Sequence, residues 1–143
     1  MTLVIGILKM QSLKYIKFFK FVFAISFAFS VNVYANMLSE CTSSANAINK
    51  STPQVLDKVT TLMTAVCFQE GNTVTLNYRN KLDVPSGAVN QGKLNGIKPQ
   101  ILSTWCTDPT QRQTINLINI RYTYTDASGK FIGKIDLSKN ECK

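Results

Sequence analysis

Four cysteines constrain this fold more than any other feature of the sequence. They are Cys41, Cys67, Cys106 and Cys142. No two of them have the Cys-x-x-Cys spacing of a redox motif or a zinc knuckle, and an even number of cysteines without that spacing is typical of a disulfide framework in an exported chain. Four cysteines allow three pairings. We favour Cys41–Cys67 with Cys106–Cys142, because each bond would then join a helix end to a strand.

The N-terminal segment indicates export. Its basic region, which contains no acid, comprises Lys9, Lys14, Lys17 and Lys20. An apolar run over residues 21–31 follows, and Val33-Tyr34-Ala35 places small residues where a signal peptidase cleaves. We therefore predict a signal peptide over residues 1–35 and a single domain over 36–143, periplasmic or secreted. A retained signal anchor is the alternative, although the run is shorter than the roughly 20 residues of a membrane span. Met10 is an alternative start.

The charge of the predicted mature part is modest. The whole chain has 16 Lys and Arg against 8 Asp and Glu, a net charge of +8. Removing the four leader lysines halves this to +4 over the remaining 108 of 143 residues. We therefore expect no nucleic-acid partner, and after cleavage no stable membrane span. A chain of this length suits one domain with one core.

The first half of the mature chain predicts one helix and two strands. Residues 42–50 form a weakly amphipathic helix, with Ala45 and Ile48 on its apolar side. A β-branched segment over 59–68 predicts a strand, Glu70-Gly71-Asn72 predicts a turn, and clean alternation over 73–84 predicts a second strand with one buried and one solvated face.

The second half predicts two helices and a β-hairpin. The spacing of Leu94, Ile97, Ile101 and Trp105 indicates a helix, which we expect to be broken or kinked and firm only over 98–106 because Asn95-Gly96 and Pro99 interrupt it. A second helix should begin at Asp108-Pro109, with Gln111 reaching back as in a capping box, and end near Leu117. Alternating residues on both sides of the turn at 126–129 predict the hairpin.

The hairpin register follows from pairing Asp126 with Gly129. Tyr124 then lies opposite Phe131, Tyr122 opposite Gly133, and Arg121 opposite Lys134. The complete order, α-β-β-α-α-β-β, predicts an α+β fold in two layers: a four-stranded antiparallel sheet with the helices on one face, held by two disulfides.

The absence of histidine limits the possible chemistry. It excludes a Ser-His-Asp triad, a Cys-His pair and histidine-ligated zinc. The sequence has no Gly-rich phosphate loop, and most acids occupy predicted turns and caps. We therefore predict no catalytic residues, no metal and no cofactor.

One surface is a candidate binding site. Arg121 and Lys134 are predicted to be cross-strand neighbours on the solvated face, and Arg79 and Lys81 project from the same face of another strand. Like charges across a strand pair are unfavourable, so these four cations indicate an anionic partner such as an acidic protein, a lipid head group or a glycan. The alternative is an ordinary solvated face. Trp105 is interpreted as a core anchor.

The C-terminal part resembles a pattern in small exported proteins of Gram-negative bacteria that have no assigned activity. The resemblance rests on Cys106-Thr107-Asp108-Pro109, on the run IRYTYTDASGK over residues 120–130 and on Cys142, with a weaker similarity over 73–78. It implies an exported α+β domain with Cys106 bonded to Cys142, and it implies no activity. Cys41 and Cys67 depart from the pattern.

These features favour a non-enzymatic binding protein, such as an inhibitor, an immunity protein or an accessory factor of an envelope machine. Its partner would be another envelope or secreted protein, or an anionic envelope component. The alternatives are a histidine-free hydrolase of envelope polymers that uses two carboxylates, and a structural component of the envelope.

Overall fold

The computed structural model describes residues 33–142. Its helices are α1 (Val33–Asn49), α2 (Gln91–Thr107) and α3 (Pro109–Leu117), followed at the C-terminal end by a short 3-10 helix (Lys139–Glu141). Its strands are β1 (Gln54–Val55), β2 (Thr60–Glu70), β3 (Thr73–Leu82), β4 (Asn119–Thr125) and β5 (Phe131–Leu137).

The sheet differs from the predicted one. It has five strands in the order β1-β2-β3-β4-β5, and β3 pairs with β4 in parallel, so the prediction of four antiparallel strands is wrong. The two helices between β3 and β4 form a crossover that returns the chain to the end of the sheet where β3 began, and such a connection produces a parallel pair. The additional strand, β1, has only two residues and carries no detectable alternation.

Helix α1 is longer than predicted. Ala45 and Ile48 are buried as expected, but the helix begins at Val33 rather than near residue 42. Met37, Leu38 and Cys41 extend the same apolar stripe toward the N-terminus, and all three pack in the core or against it. The predicted signal-peptide boundary at residue 35 concealed this extension.

Helix α2 is continuous over 17 residues, so the prediction of a broken helix that is firm only over 98–106 is wrong. The Asn90 side chain accepts a hydrogen bond from the Lys93 N–H and caps the first turn. Buried Leu94 and Ile97 hold that part of the helix against the sheet and offset the weak helix propensity of Asn95-Gly96. Pro99 lies inside the helix.

Helix α3 begins as predicted. Asp108 accepts hydrogen bonds from the N–H groups of Thr110 and Gln111, both at 2.9 Å, and Pro109 occupies the first helical position. The Gln111 side chain is buried and its Oε1 has no hydrogen-bond partner, so it does not complete a capping box.

The C-terminal hairpin forms as predicted, but its register is shifted by two residues. Asp126 pairs with Lys130 rather than with Gly129, because Gly129 at φ +85° adds a third loop residue. A bulge beside Tyr124 shifts the register by one further residue, so Tyr124 lies opposite Gly133. From Gly133 to Leu137 the total shift is even, so these side chains stay on their predicted face. Phe131, on the turn side of the bulge, is displaced by only one residue; it lies opposite Thr125 instead of Tyr124 and is exposed.

The core lies between one sheet face and all three helices. Its helix side comprises Cys41, Ala45, Ile48, Leu94, Ile97, Trp105 and Ile115. From the sheet, Leu76, Tyr78, Ile120 and Ile135 join the same cluster. Trp105 is a core residue as predicted, and its Nε1 donates to the Tyr122 hydroxyl at 2.9 Å. Tyr122 also stacks on Tyr78, with ring centroids 5.3 Å apart.

Two disulfides link α1 to the sheet and α2 to the C-terminal segment that follows β5. Cys41 of α1 bonds Cys67 of β2, and Cys106 of α2 bonds Cys142 just after the 3-10 helix. This is the pairing favoured from the sequence.

The predicted signal peptide lies almost wholly outside the described residues, so it stays a prediction. None of the helices within residues 33–142 is long and apolar enough to cross a membrane.

Candidate interaction surface

The helices leave one side of the sheet uncovered within residues 33–142, because all three pack into the core on the other side. We call this uncovered side the outer face. Its residues are Thr64, Val66, Phe68 and Glu70 of β2, Thr73, Thr75, Asn77, Arg79 and Lys81 of β3, Asn119, Arg121, Thr123 and Thr125 of β4, and Lys134 and Asp136 of β5. All four cations of the predicted site lie on it.

Arg121 is the central side chain of the outer face. It binds both carboxylate oxygens of Glu70, each at 3.1 Å, and it also bonds Asp136 on the neighbouring strand. Its guanidinium lies 5.4 Å from the centroid of the Phe68 ring. Because Glu70 and Phe68 belong to β2, the Arg121 side chain crosses β3 to reach them. This crossing explains why Thr75 and Asn77 of β3 are buried on an otherwise uncovered face.

The electrostatics of this cluster favour the charged forms. Burial lowers the pKa of Arg121, but hydrogen bonds and charges from Asp136 and Glu70 outweigh burial and raise it above its ordinary value. Partial burial acts to raise the pKa of Asp136, but hydrogen bonds from Arg121 and Lys134 hold it below its ordinary value. The cluster is therefore a neutralised ion-pair network.

The predicted pairing of Arg121 with Lys134 is wrong, because the two-residue register shift separates them. Arg121 lies opposite Asp136, and Lys134 lies opposite Thr123. Lys134 instead pairs with Asp136, at 3.2 Å between Nζ and Oδ2. The unfavourable contact between like charges that suggested an anionic partner does not exist.

Arg79 and Lys81, unlike Arg121 and Lys134, have no acidic partner within residues 33–142. They occupy alternate positions of β3 on the outer face, and neither forms an ion pair with any acid in the described part of the chain. Phe131, 60% exposed, and Val55, 73% exposed, lie at the two ends of the residue row that contains Lys81. This end of the outer face therefore combines unpaired positive charge with exposed apolar surface.

The edge of the sheet beside β2 is partly closed by a side chain of α1. Asn49 Nδ2 donates to the Ala65 carbonyl at 2.8 Å, and Asn49 Oδ1 accepts from the Ala65 N–H at 2.7 Å. The carboxamide thus binds both backbone groups of one edge residue, as a neighbouring strand would. We call this pair of hydrogen bonds the Asn49 clamp.

The opposite edge has the same device. Gln91 of α2 donates from Nε2 to the Lys134 carbonyl at 2.8 Å and accepts from the Lys134 N–H at 2.9 Å. We call it the Gln91 clamp. It requires a glycine at the position before Lys134: a Cβ on Gly133 would collide with Gln91 Oε1 and approach Leu94 Cδ1 to 3.0 Å.

Residues 33–142 show neither a metal-binding group nor a typical catalytic acid. No set of three or more Cys, Asp or Glu side chains converges there to hold a metal. Glu70 and Asp136 come together, but around Arg121 on an open face. The pKa values of Asp136 and Asp126 are both lowered, the latter mainly by a hydrogen bond from Ser128, whereas a general acid needs a raised value.

Sequence reasoning missed both clamps and the two acids that bind Arg121. Asp136 follows Lys134 by two residues, so the alternation itself places both on one face, and the correct register would have found the contact with Arg121. The clamps have no comparable signal, because Asn49 and Gln91 look like ordinary polar residues at helix ends.

Three solved structures are similar to this chain. The pilotin EpsS of the Vibrio vulnificus type II secretion system has a TM-score of 0.60 at 14% identity, covering 77% of this chain and 94% of that one. A candidate secreted protein of Pseudomonas aeruginosa has a TM-score of 0.65 at 12% identity, covering 80% and 100%. The type II secretion pilotin AspS of Vibrio cholerae has a TM-score of 0.55 at 14% identity, covering 76% and 94%.

These similarities establish a shared α+β fold. They agree with the resemblance to small Gram-negative proteins at the level of architecture and leave its motif untested. Neither a protein-family model nor a curated protein matches the sequence.

Proposed function

We propose that this protein is an exported, non-enzymatic accessory factor of the cell envelope that acts by binding another protein, in the manner of a secretion-system accessory. Two disulfides suit an oxidising compartment. Two of the structures that share the fold are type II secretion pilotins, and a third is a candidate secreted protein. The signal peptide predicted over residues 1–35 agrees with export.

We place the contact with the partner on the outer face, at Arg79 and Lys81. The observation that carries this assignment is that these two cations have no acidic partner within residues 33–142, whereas Arg121 and Lys134 bind Glu70 and Asp136. Exposed Phe131 and Val55 supply apolar area at the two ends of the same residue row. The partner surface is therefore acidic with apolar residues beside the acids. Arg121 and Lys134 stabilise the sheet surface through their ion pairs and contribute little net charge.

A binding assay tests this assignment. Purified residues 36–143 are immobilised and exposed to detergent-solubilised envelope proteins of the source organism, and bound protein is identified by mass spectrometry. Reversing both charges, Arg79→Glu with Lys81→Glu, should lower capture of the same protein about tenfold or more, because each lost charge contact adds a repulsion. The matched control reverses Lys50 and Lys139, two exposed cations off the outer face, and should leave capture unchanged.

A genetic experiment tests the process. Deleting the gene should reduce protein export through a type II secretion system severalfold, and the wild-type gene, but not the Arg79→Glu/Lys81→Glu version, should restore it. Undiminished secretion together with hydrolysis of an envelope polymer by the purified protein would contradict the proposal. Equal capture by both charge-reversal variants would remove the outer face from it and leave the binding role in place.

A further inference from the structure

The edge of β2 has a stretch of backbone that nothing in the described chain pairs. In an antiparallel pair, residues whose N–H and C=O groups bond the partner strand alternate with residues whose groups point away. Ala65 points away from β3, because the Asn49 clamp binds both of its backbone groups. The register runs without interruption from Ala65 to Glu70. Cys67 and Gln69 therefore also direct their N–H and C=O groups outward.

No other element closes this stretch. Strand β1 pairs only with Thr61 and Leu62 and ends before the bulge that follows them. No hydrogen bond from elsewhere in residues 33–142 reaches the backbone of Cys67 or Gln69. Four outward backbone groups thus stand between the Asn49 clamp on one side and the turn at Gly71 on the other. Natural proteins usually blunt such an edge along its full length.

We propose that this open edge receives an extended segment of a partner protein as an added strand. An extended backbone is the structure that presents donors and acceptors at the spacing of Cys67 and Gln69. The space between the Asn49 clamp and the turn allows about three paired residues, at roughly 3.3 Å each, so the segment is short. The inference deepens the proposed function, on which it rests, because it states how the partner is held.

A segment without an attached helix fits this edge best. Helix α1 packs on the core face of β2 here, where Cys41 is bonded to Cys67 with their Cα atoms 5.8 Å apart. A second copy of the chain would have to bring its own α1 toward the same place. Alternate side chains of an added strand would lie on the outer face next to half-buried Val66 and Phe68. The segment therefore carries apolar residues at every second position.

A peptide library supplies the probe. Random linear nonapeptides displayed on phage are selected on the immobilised domain, and the strongest binder is synthesised with its backbone nitrogens N-methylated at either the odd or the even positions. In an added strand only alternate N–H groups face β2. One methylation pattern should weaken binding about tenfold or more and the other should have little effect.

Two variants of one residue locate the peptide. Gln69→Pro removes an outward N–H without removing a β2–β3 hydrogen bond, and should weaken the selected peptide about tenfold. Gln69→Ala loses the same side-chain bond to the Gly71 carbonyl but keeps the N–H, and should bind normally. Amide hydrogen exchange gives an independent measurement: the amides of Cys67 and Gln69 should exchange rapidly in the free domain and slowly when the peptide is bound.

Several results would overturn the inference. They are a library without a binder, equal effects of the two methylation patterns, protection of amides away from Cys67 and Gln69, and dimerisation of the domain that protects these two amides without peptide. Each leaves the proposed function standing if envelope capture still depends on Arg79 and Lys81. If the selected peptide still bound but envelope capture did not depend on Arg79 and Lys81, the proposed function would fail and the binding edge on β2 would stand.

Discussion

The two edges of the sheet are built with the same parts but are not equally closed. At each edge one helix contacts the edge strand through a carboxamide clamp at one helix end, and the same helix carries one disulfide, from the middle of α1 and from the last turn of α2. On the β2 side these are the Asn49 clamp and Cys41–Cys67. On the β5 side they are the Gln91 clamp and Cys106–Cys142, which follows the strand.

The difference lies in the length of the two strands, because each clamp binds the middle residue of its strand. Lys134 is the middle residue of the seven-residue strand β5, so its clamp leaves only short stretches on either side. Ala65 lies near the middle of the eleven-residue strand β2, and the remaining stretch reaches to the turn. A protein that only had to avoid aggregation would close both edges alike. The longer open stretch on β2 is the feature on which the proposed addition of a partner strand rests.

The largest expected effect comes from the disulfides. Replacing Cys41 and Cys67, or Cys106 and Cys142, by serine should lower the free energy of unfolding by about 3 to 4 kcal/mol. The loops closed span 26 and 36 residues, so loop entropy makes the two variants nearly equal. Urea unfolding measures both. A difference larger than about 2 kcal/mol would show that one edge depends on its disulfide far more than the other.

Removing the Asn49 clamp should have the next largest effect. Asn49→Ala leaves the partly buried N–H and C=O of Ala65 unpaired, and should cost about 2 kcal/mol. Gln91→Ala removes the corresponding bonds at an exposed site where water can replace them, and should cost about 1 kcal/mol. Thermal unfolding compares the two. Equal costs would contradict the difference in burial between the edges.

A substitution at Gly133 tests the closer approach at the β5 edge. Gly133→Ala should displace the Gln91 side chain and cost about 1 kcal/mol, as Gln91→Ala does. Combining the two substitutions should add little, because both remove the same bonds. Gly96→Ala is the control: it has open space around it in a helix and should stabilise the protein by about 0.5 to 1 kcal/mol. If the stability losses of Gln91→Ala and Gly133→Ala were additive, the two substitutions would not act on the same hydrogen bonds, and the predicted collision would be wrong.

The smallest effect concerns pH and the bridge between β2 and β5 through Arg121. Because folding lowers the pKa of Asp136 below its ordinary value of 3.8, its ion pairs contribute stability above about pH 4 that is lost as the pH falls through the folded value. The carboxylate is half exposed, so the contribution should stay below about 1 kcal/mol. Stability curves against pH should therefore differ slightly between wild type and Asp136→Asn above pH 4 and converge below it.

The sequence predicted elements more reliably than their arrangement. Alternation identified β3, β4 and β5, and Asp108-Pro109 identified the start of α3, because these signals are local. The register of the hairpin was wrong because it depends on one glycine conformation and one bulge, neither of which changes the alternation. The parallel pairing was predictable in principle from the two helices between β3 and β4.

The candidate site shows a similar limit. The sequence placed Arg79, Lys81, Arg121 and Lys134 on one face, which the structure reproduces. It could not show that Arg121 reaches across β3 to Glu70, because that contact joins residues 51 positions apart in the sequence. The open edge at Cys67 and Gln69 depends on Asn49, whose role is visible only when helix and strand are seen together.

The hydrogen bond between Trp105 and Tyr122 gives the protein an intrinsic optical reporter. Trp105 is the only indole in the chain, and it is buried against the central sheet. Burial raises the pKa of Tyr122 well above its ordinary value, so the phenol stays protonated through the accessible pH range. Emission from this one fluorophore can therefore follow every unfolding experiment above without a label.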